Sequence, residues 1–95
     1  HVSMATFAAR RLTDIAGNIR DIVAIELLEA AQGVDFRRPL RAADAIEVAH
    51  ERVRALVPFY DQDRYFAPDI AAIAGLIEQG GLGDLICEGA LLEDA

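Results

Sequence analysis

Apolar side chains recur three or four residues apart along most of this chain, and the strict alternation of a half-buried strand appears nowhere. From Met4 to Gln32 the series Met4, Ala8, Leu12, Ile15, Ile19, Ile22 or Val23, Leu27 and Ala30 marks one face of a single helix of about eight turns. Ser3 is placed to cap its start, with Val2 and Phe7 at the two positions of a hydrophobic staple. Gly33 is placed to end it in the left-handed conformation, with Val34 closing the cap. The two halves of this helix differ. Up to Arg20 it is amphipathic, whereas from Ile22 to Ala31 only Glu26 and Glu29 interrupt the apolar residues, and a helix apolar nearly all round is expected to be surrounded.

The stretch VDFRRPLRAAD reads as a connector, because Pro39 biases Arg38 away from helical geometry. A second helix is expected over about 43–57. Asp44 and Glu47 have capping-box spacing, and Ile46, Ala49, Val53 and Leu56 with Val57 form its buried stripe. Pro58 ends it. After FYDQDRYFAPDI a third helix is expected over about 68–79, with Pro68 in its first turn, Asp69 complementing the positive end of its dipole, and Gly80 and Gly81 stopping it. The acid-rich tail 82–95 is expected to fray after at most a short helical turn. The fold class is therefore all-α, one long helix and two shorter ones in a single unit spanning 1–95, with no internal repeat.

Composition narrows the function classes. Of 95 residues 54% are hydrophobic, far too many for a disordered tail. The net charge is −7 and all nine cations are arginine, so a phosphate-binding surface, and nucleic acid with it, is excluded as a partner. No uncharged run approaches the roughly 18 residues that span a bilayer and no signal-peptide pattern opens the chain, so no membrane partner is expected and the location expected is the cytoplasm. A chain this short buries only about 60% of the surface its unfolded form exposes. With so many apolar residues, some apolar surface is expected to face another chain.

Candidate chemistry is sparse. Asp61, Asp63, Asp69 and Glu78 fail the calcium-loop template, since Phe66 occupies its sixth position where Gly is needed and Ala72 its twelfth where Glu is needed. They read as solvated loop acids, with Arg64 expected to pair with Asp61 or Asp69. His50 has no second histidine or cysteine at helical spacing and reads as a boundary residue of the second helix. Cys87 is the only cysteine, so neither an internal disulfide nor a zinc cluster is available, and no metal site is expected. Ser3 is the only serine and its capping position already accounts for it. Glu26 and Glu29, three apart on one helix, cannot face each other as an acid and base pair. Arg37, Arg38 and Arg41 are expected to balance nearby acids.

Four stretches in this order carry a resemblance: HVSMA with an arginine pair behind it, AIELLEAAQG, RRPL, and VPFYDQDRYFAPDI. Together they resemble the C-terminal part of the aromatic amino acid lyases, in the histidine-specific form of that family, over residues 1 to about 80; the final GDLICEGALLEDA matches none of its motifs. The resemblance implies a parent that eliminates ammonia from L-histidine to give urocanate in histidine catabolism. It also implies that His1 and Ser3 lie at the active-site rim, just after a glutamate that reaches the substrate imidazole. The electrophile of the family is a methylidene-imidazolone made from an internal Ala-Ser-Gly, and here the only serine lies in Val2-Ser3-Met4, so no cofactor is expected to form. The family's catalytic tyrosine lies upstream, so neither Tyr60 nor Tyr65 inherits its role.

For the chain itself the resemblance implies a scaffold and oligomerisation segment, catalytically inactive alone, that self-associates through the long helix as a dimer or tetramer centred on Ile22 to Leu28. Two alternatives stand beside it: a stand-alone helical protein-interaction module, or a segment of a related phenylalanine or tyrosine ammonia-lyase.

Overall fold

A computed structural model of the chain describes residues 2–85, and side chains from Met4 onward. Three helices follow one another: α1 over Val2–Phe36, α2 over Asp44–Leu56 and α3 over Ala67–Glu78. The described residues hold no strand, and a single further helical turn covers 83–85. The all-α reading holds, and the bounds of α2 and α3 fall within a residue or so of those the periodicity indicates.

The bounds of α1 differ at both ends. The helix starts at Val2, so Ser3 lies inside it; the Ser3 cap and the Val2 end of the staple concern side chains outside those described. Phe7, the other half of that staple, is exposed, with the Arg11 guanidinium 5.8 Å from its ring centroid. At the far end α1 runs through Gly33 to Phe36, and Gly33 takes no positive φ. The physical reason lies in side chains that hold the extra turn from outside. Gln32 donates to the Tyr60 carbonyl (2.7 Å) and accepts from its N–H (3.2 Å), while Asp35 binds both His50 and Arg54 at 2.8 Å. Arg37 N–H and Arg38 N–H then close tight turns on Val34 and Asp35 carbonyls, and the Arg38–Pro39 peptide is cis.

The capping box of α2 is also displaced. Its N-cap is Ala43, without a side-chain cap bond, and Asp44 is already helical. Glu47 keeps the reach-back half of the motif by accepting the Ala42 N–H at 2.8 Å, because Arg38 draws its carboxylate toward the connector. The end of α3 follows the sequence signal. Gly80 has φ +74°, the Gly80 N–H bonds to the Ile77 carbonyl and the Gly81 N–H to the Leu76 carbonyl, which together form a Schellman cap. A Cβ at Gly81 would meet the Leu76 side chain, so this close approach needs glycine.

The core is small. Ala24, Leu28 and Ala31 from α1 meet Val53 of α2, Val57 just after it, and Ile73 and Ala74 of α3, with Leu27, Tyr60, Ile70 and Ile77 packed at the margin. Ile46 and Leu56, expected in the buried stripe of α2, are instead half-exposed, since α2 turns only its Val53 edge to the core. At 1.5 Å per residue α1 is about 52 Å long, and α2 and α3 cover only the C-terminal half of it.

The connector between α2 and α3 is tied down by Arg64. Its Nε donates to Asp69 at 3.0 Å, one of its two expected partners, and its guanidinium lies 4.3 Å from the Tyr60 ring centroid. Arg64 is a third exposed, so solvent screens the pair. Arg64→Ala is expected to lower stability by at most about 1 kcal/mol, measured by urea denaturation; a loss several times larger would mean that the cation–π contact dominates.

Candidate functional site

Each acid considered for metal binding has been drawn to a different place. Asp69 accepts from the Tyr60 hydroxyl (2.9 Å) and from Arg64, Glu78 accepts from Arg20 (3.0 Å), and Asp61 and Asp63 lie exposed in the connector. Among the described residues no group of three or more His, Cys, Asp or Glu side chains is close enough to hold a metal ion. Glu26 and Glu29 both point to solvent from α1. His1 and Cys87 lie outside the described residues, and Ser3 sits in the first turn of α1.

What does converge is a polar clasp joining α1, α2 and the connector. Asp35 is its centre, taking His50 Nε2 on one carboxylate oxygen and Arg54 Nε on the other. Burial pushes the Asp35 carboxyl up, but the hydrogen bond and charge of Arg54, with those of His50, outweigh it and hold the group below its ordinary range. Arg54 also donates to Gln32 and to the Val57 carbonyl. His50 is thus partly buried, as a boundary residue of α2, and is held there by its bond to Asp35. Beside it Arg38 grips Glu47 through two bonds of 2.7 and 2.8 Å, with Arg41 at 3.7 Å. Arg38 and Arg41 therefore do balance an acid, as their charge suggested. At the other end Arg52 holds Asp84 through bonds of 2.6 and 2.9 Å and the Gly81 carbonyl at 2.8 Å, fixing the turn after α3. Tyr60 is pushed up by burial and by the adjacent Asp69, partly offset by Arg64.

This network is satisfied and structural. Gln32, Asp35 and Arg54 carry no local signal in the sequence, because the side chains and connector groups they meet lie 15 to 28 residues away on other elements. The described surface offers contact faces instead. Met4, Leu12, Ile15, Ile19 and Ile22, between 46% and 70% exposed, form an uninterrupted apolar stripe along α1. Half a turn round the same helix, Ala24, Leu28 and Ala31 face the core. The exposed apolar surface therefore includes Ile22, Val23 and Ile25 and continues toward the N-terminus, since α3 covers Ala24 and Leu28 and leaves the preceding turns open. A second apolar surface, a groove of about 480 Å³ lined by Ile25, Phe36, Tyr60, Phe66 and Ile70, runs between α1 and the connector. No described helix is long and apolar enough to cross a membrane.

The described unit is all-helical, many of its charged residues clasp its helices together, and its longest helix presents an uncovered apolar stripe. The family model for aromatic amino acid lyases matches residues 1–55, and the chain belongs to that family. It is similar to a histidine ammonia-lyase of Idiomarina loihiensis, 62% identical over 86 residues. Histidine ammonia-lyases of Rhodospirillum rubrum and of Vibrio cholerae serotype O1 are each 59% identical over 86 and 78 residues. These matches cover 90%, 90% and 82% of this chain but only 17%, 17% and 15% of those proteins, so the chain spans about one sixth of the length of its relatives.

Proposed function

We propose that this chain is the C-terminal scaffold segment of a cytoplasmic histidine ammonia-lyase, an enzyme that eliminates ammonia from L-histidine to give urocanate. The observation that carries the reading is the combination of 62% identity to one such enzyme with a long helix left uncovered on one face. The segment contributes support and self-association through α1. Its own residues supply no electrophile. The methylidene-imidazolone of the family arises from Ala-Ser-Gly, a tripeptide this chain lacks, and scaffold residues cannot replace covalent cofactor chemistry.

Two assays test this. Incubated with histidine, the pure chain is expected to give no rise in urocanate absorbance. Co-expressed with the Idiomarina loihiensis enzyme shortened to end where the matched segment begins, it is expected to restore urocanate formation. Turnover by the pure chain, or failure to restore activity with a well-folded chain, would overturn the assignment.

A further inference from the structure

After α3 the chain is held against α2. Arg52 binds Asp84 through bonds of 2.6 and 2.9 Å and the Gly81 carbonyl at 2.8 Å, and residues 83–85 already form a helical turn. That turn borders an apolar groove of about 770 Å³, lined by Val23 and Leu27 of α1, Ile46 and Ala49 of α2, Ile77 of α3 and Leu85 itself. Leu85 lines this groove and not the one between α1 and the connector. Val23 and Ile46, on its walls, are 38% and 52% exposed.

Ten residues follow Leu85, and their order suits the groove. A helix continued from 83 sets Leu82, Leu85, Ile86, Gly89 and Leu92 on one face, all of them apolar or small, because they recur at helical spacing. Asp84, Cys87, Glu88, Leu91 and Asp94 fall on the other side. The lengths agree as well. From Val53 to Ile46 the groove wall on α2 is seven residue steps, about 10.5 Å, and a helix from Leu85 to Leu92 has the same seven steps and the same length. Arg52, next to Val53, fixes where that helix starts, so its far end falls beside Ile46. Midway, Gly89 falls across from Ala49.

We propose that residues 86–92 continue this helix and dock in the groove, antiparallel to α2, with Leu92 against Ile46 and Gly89 across from Ala49. The small pair lets the two helices approach closely, and the docked face covers the open sides of Val23 and Ile46. The groove is then filled from within the same chain. This docking is independent of the lyase reading, since it concerns how the segment completes its own core.

Hydrogen exchange on the full 95-residue chain tests this. Amides 88–92 are expected to exchange at least about ten-fold more slowly than in an unfolded chain of the same sequence. Leu92→Asp is expected to abolish that protection, and so is Ile46→Asp, which changes a half-exposed position on the facing wall. Leu91→Asp, on the outer side of the docked helix, is expected to keep it. Circular dichroism checks that α1, α2 and α3 stay helical in each variant. Unprotected amides in the unsubstituted chain would leave the groove to another part of the lyase and overturn the proposal. So would protection that survives Ile46→Asp, or that Leu91→Asp removes as fully as Leu92→Asp. Protection that falls on dilution would place the segment on a second copy and overturn it as well.

Discussion

Ile73→Ala is expected to cost about 2–5 kcal/mol, the range for truncating a buried isoleucine when the surroundings relax only partly. Ile73 is completely buried, and with Val53 and Val57 it is one of the three largest fully buried side chains among the described residues. It stands where α3 meets α1, so a cavity there loosens the pairing that holds Ala24 and Leu28 inside. At roughly 0.05–0.15 kcal/mol per residue, a chain of this length has about 5–14 kcal/mol in total. The loss is therefore a large share of it. Urea denaturation of the variant should show a strongly lowered midpoint with an unchanged slope; a midpoint near that of the parent chain would mean that the core collapses around the gap.

Acidification is expected to destabilise the chain chiefly through Glu47, the carboxylate with a large lowering of its pKa. Its side chain is only 9% exposed, and the Arg38 hydrogen bonds, the Ala42 N–H and the Arg41 charge lower its pKa to about 2 from an ordinary 4.5. The folded value lies below the unfolded one, so the unfolded state binds more protons in this range. The stabilisation is complete above about pH 4.5 and is lost as pH falls toward about 2. Asp35, lowered despite its burial, and Asp84, lowered chiefly by its hydrogen bond from Arg52, act with the same sign. Glu47→Gln is expected to lower the thermal midpoint at neutral pH, since it leaves Arg38 and Arg41 without their shared carboxylate, and to flatten the acid limb. A midpoint that keeps its full acid dependence in this variant would place the effect on Asp35 instead.

The three helices were legible in the residues themselves. Apolar spacing of three and four marks α1, Pro68 and the pair Gly80 and Gly81 bracket α3, and the proline-bearing RRPL stretch separates α1 from α2. These are local signals, fixed by side-chain period and by which residues tolerate a turn. The family resemblance was legible in the same way, because HVSM, AIELLEAAQG and DRYFAPDI are contiguous strings. The surplus of apolar surface was equally legible in composition and length.

Tertiary structure decided the matters in which two distant segments compete for one group. Gly33 carries a stop signal, yet α1 continues to Phe36 because Gln32 and Asp35 find Tyr60, His50 and Arg54 on other elements. Asp44 and Glu47 have the spacing of a cap, yet Arg38 takes the carboxylate of Glu47 and the cap shifts to Ala42 and Ala43. Most of all, the sequence pattern gives α1 two apolar faces without saying which one α3 will choose. Packing against α3 buries Ala24, Leu28 and Ala31, whose small or slender side chains let the helices approach, and so leaves Leu12, Ile15, Ile19 and Ile22 in the open. Which apolar face becomes core and which becomes contact surface depends on where the other helices dock, and no window along one helix contains that information.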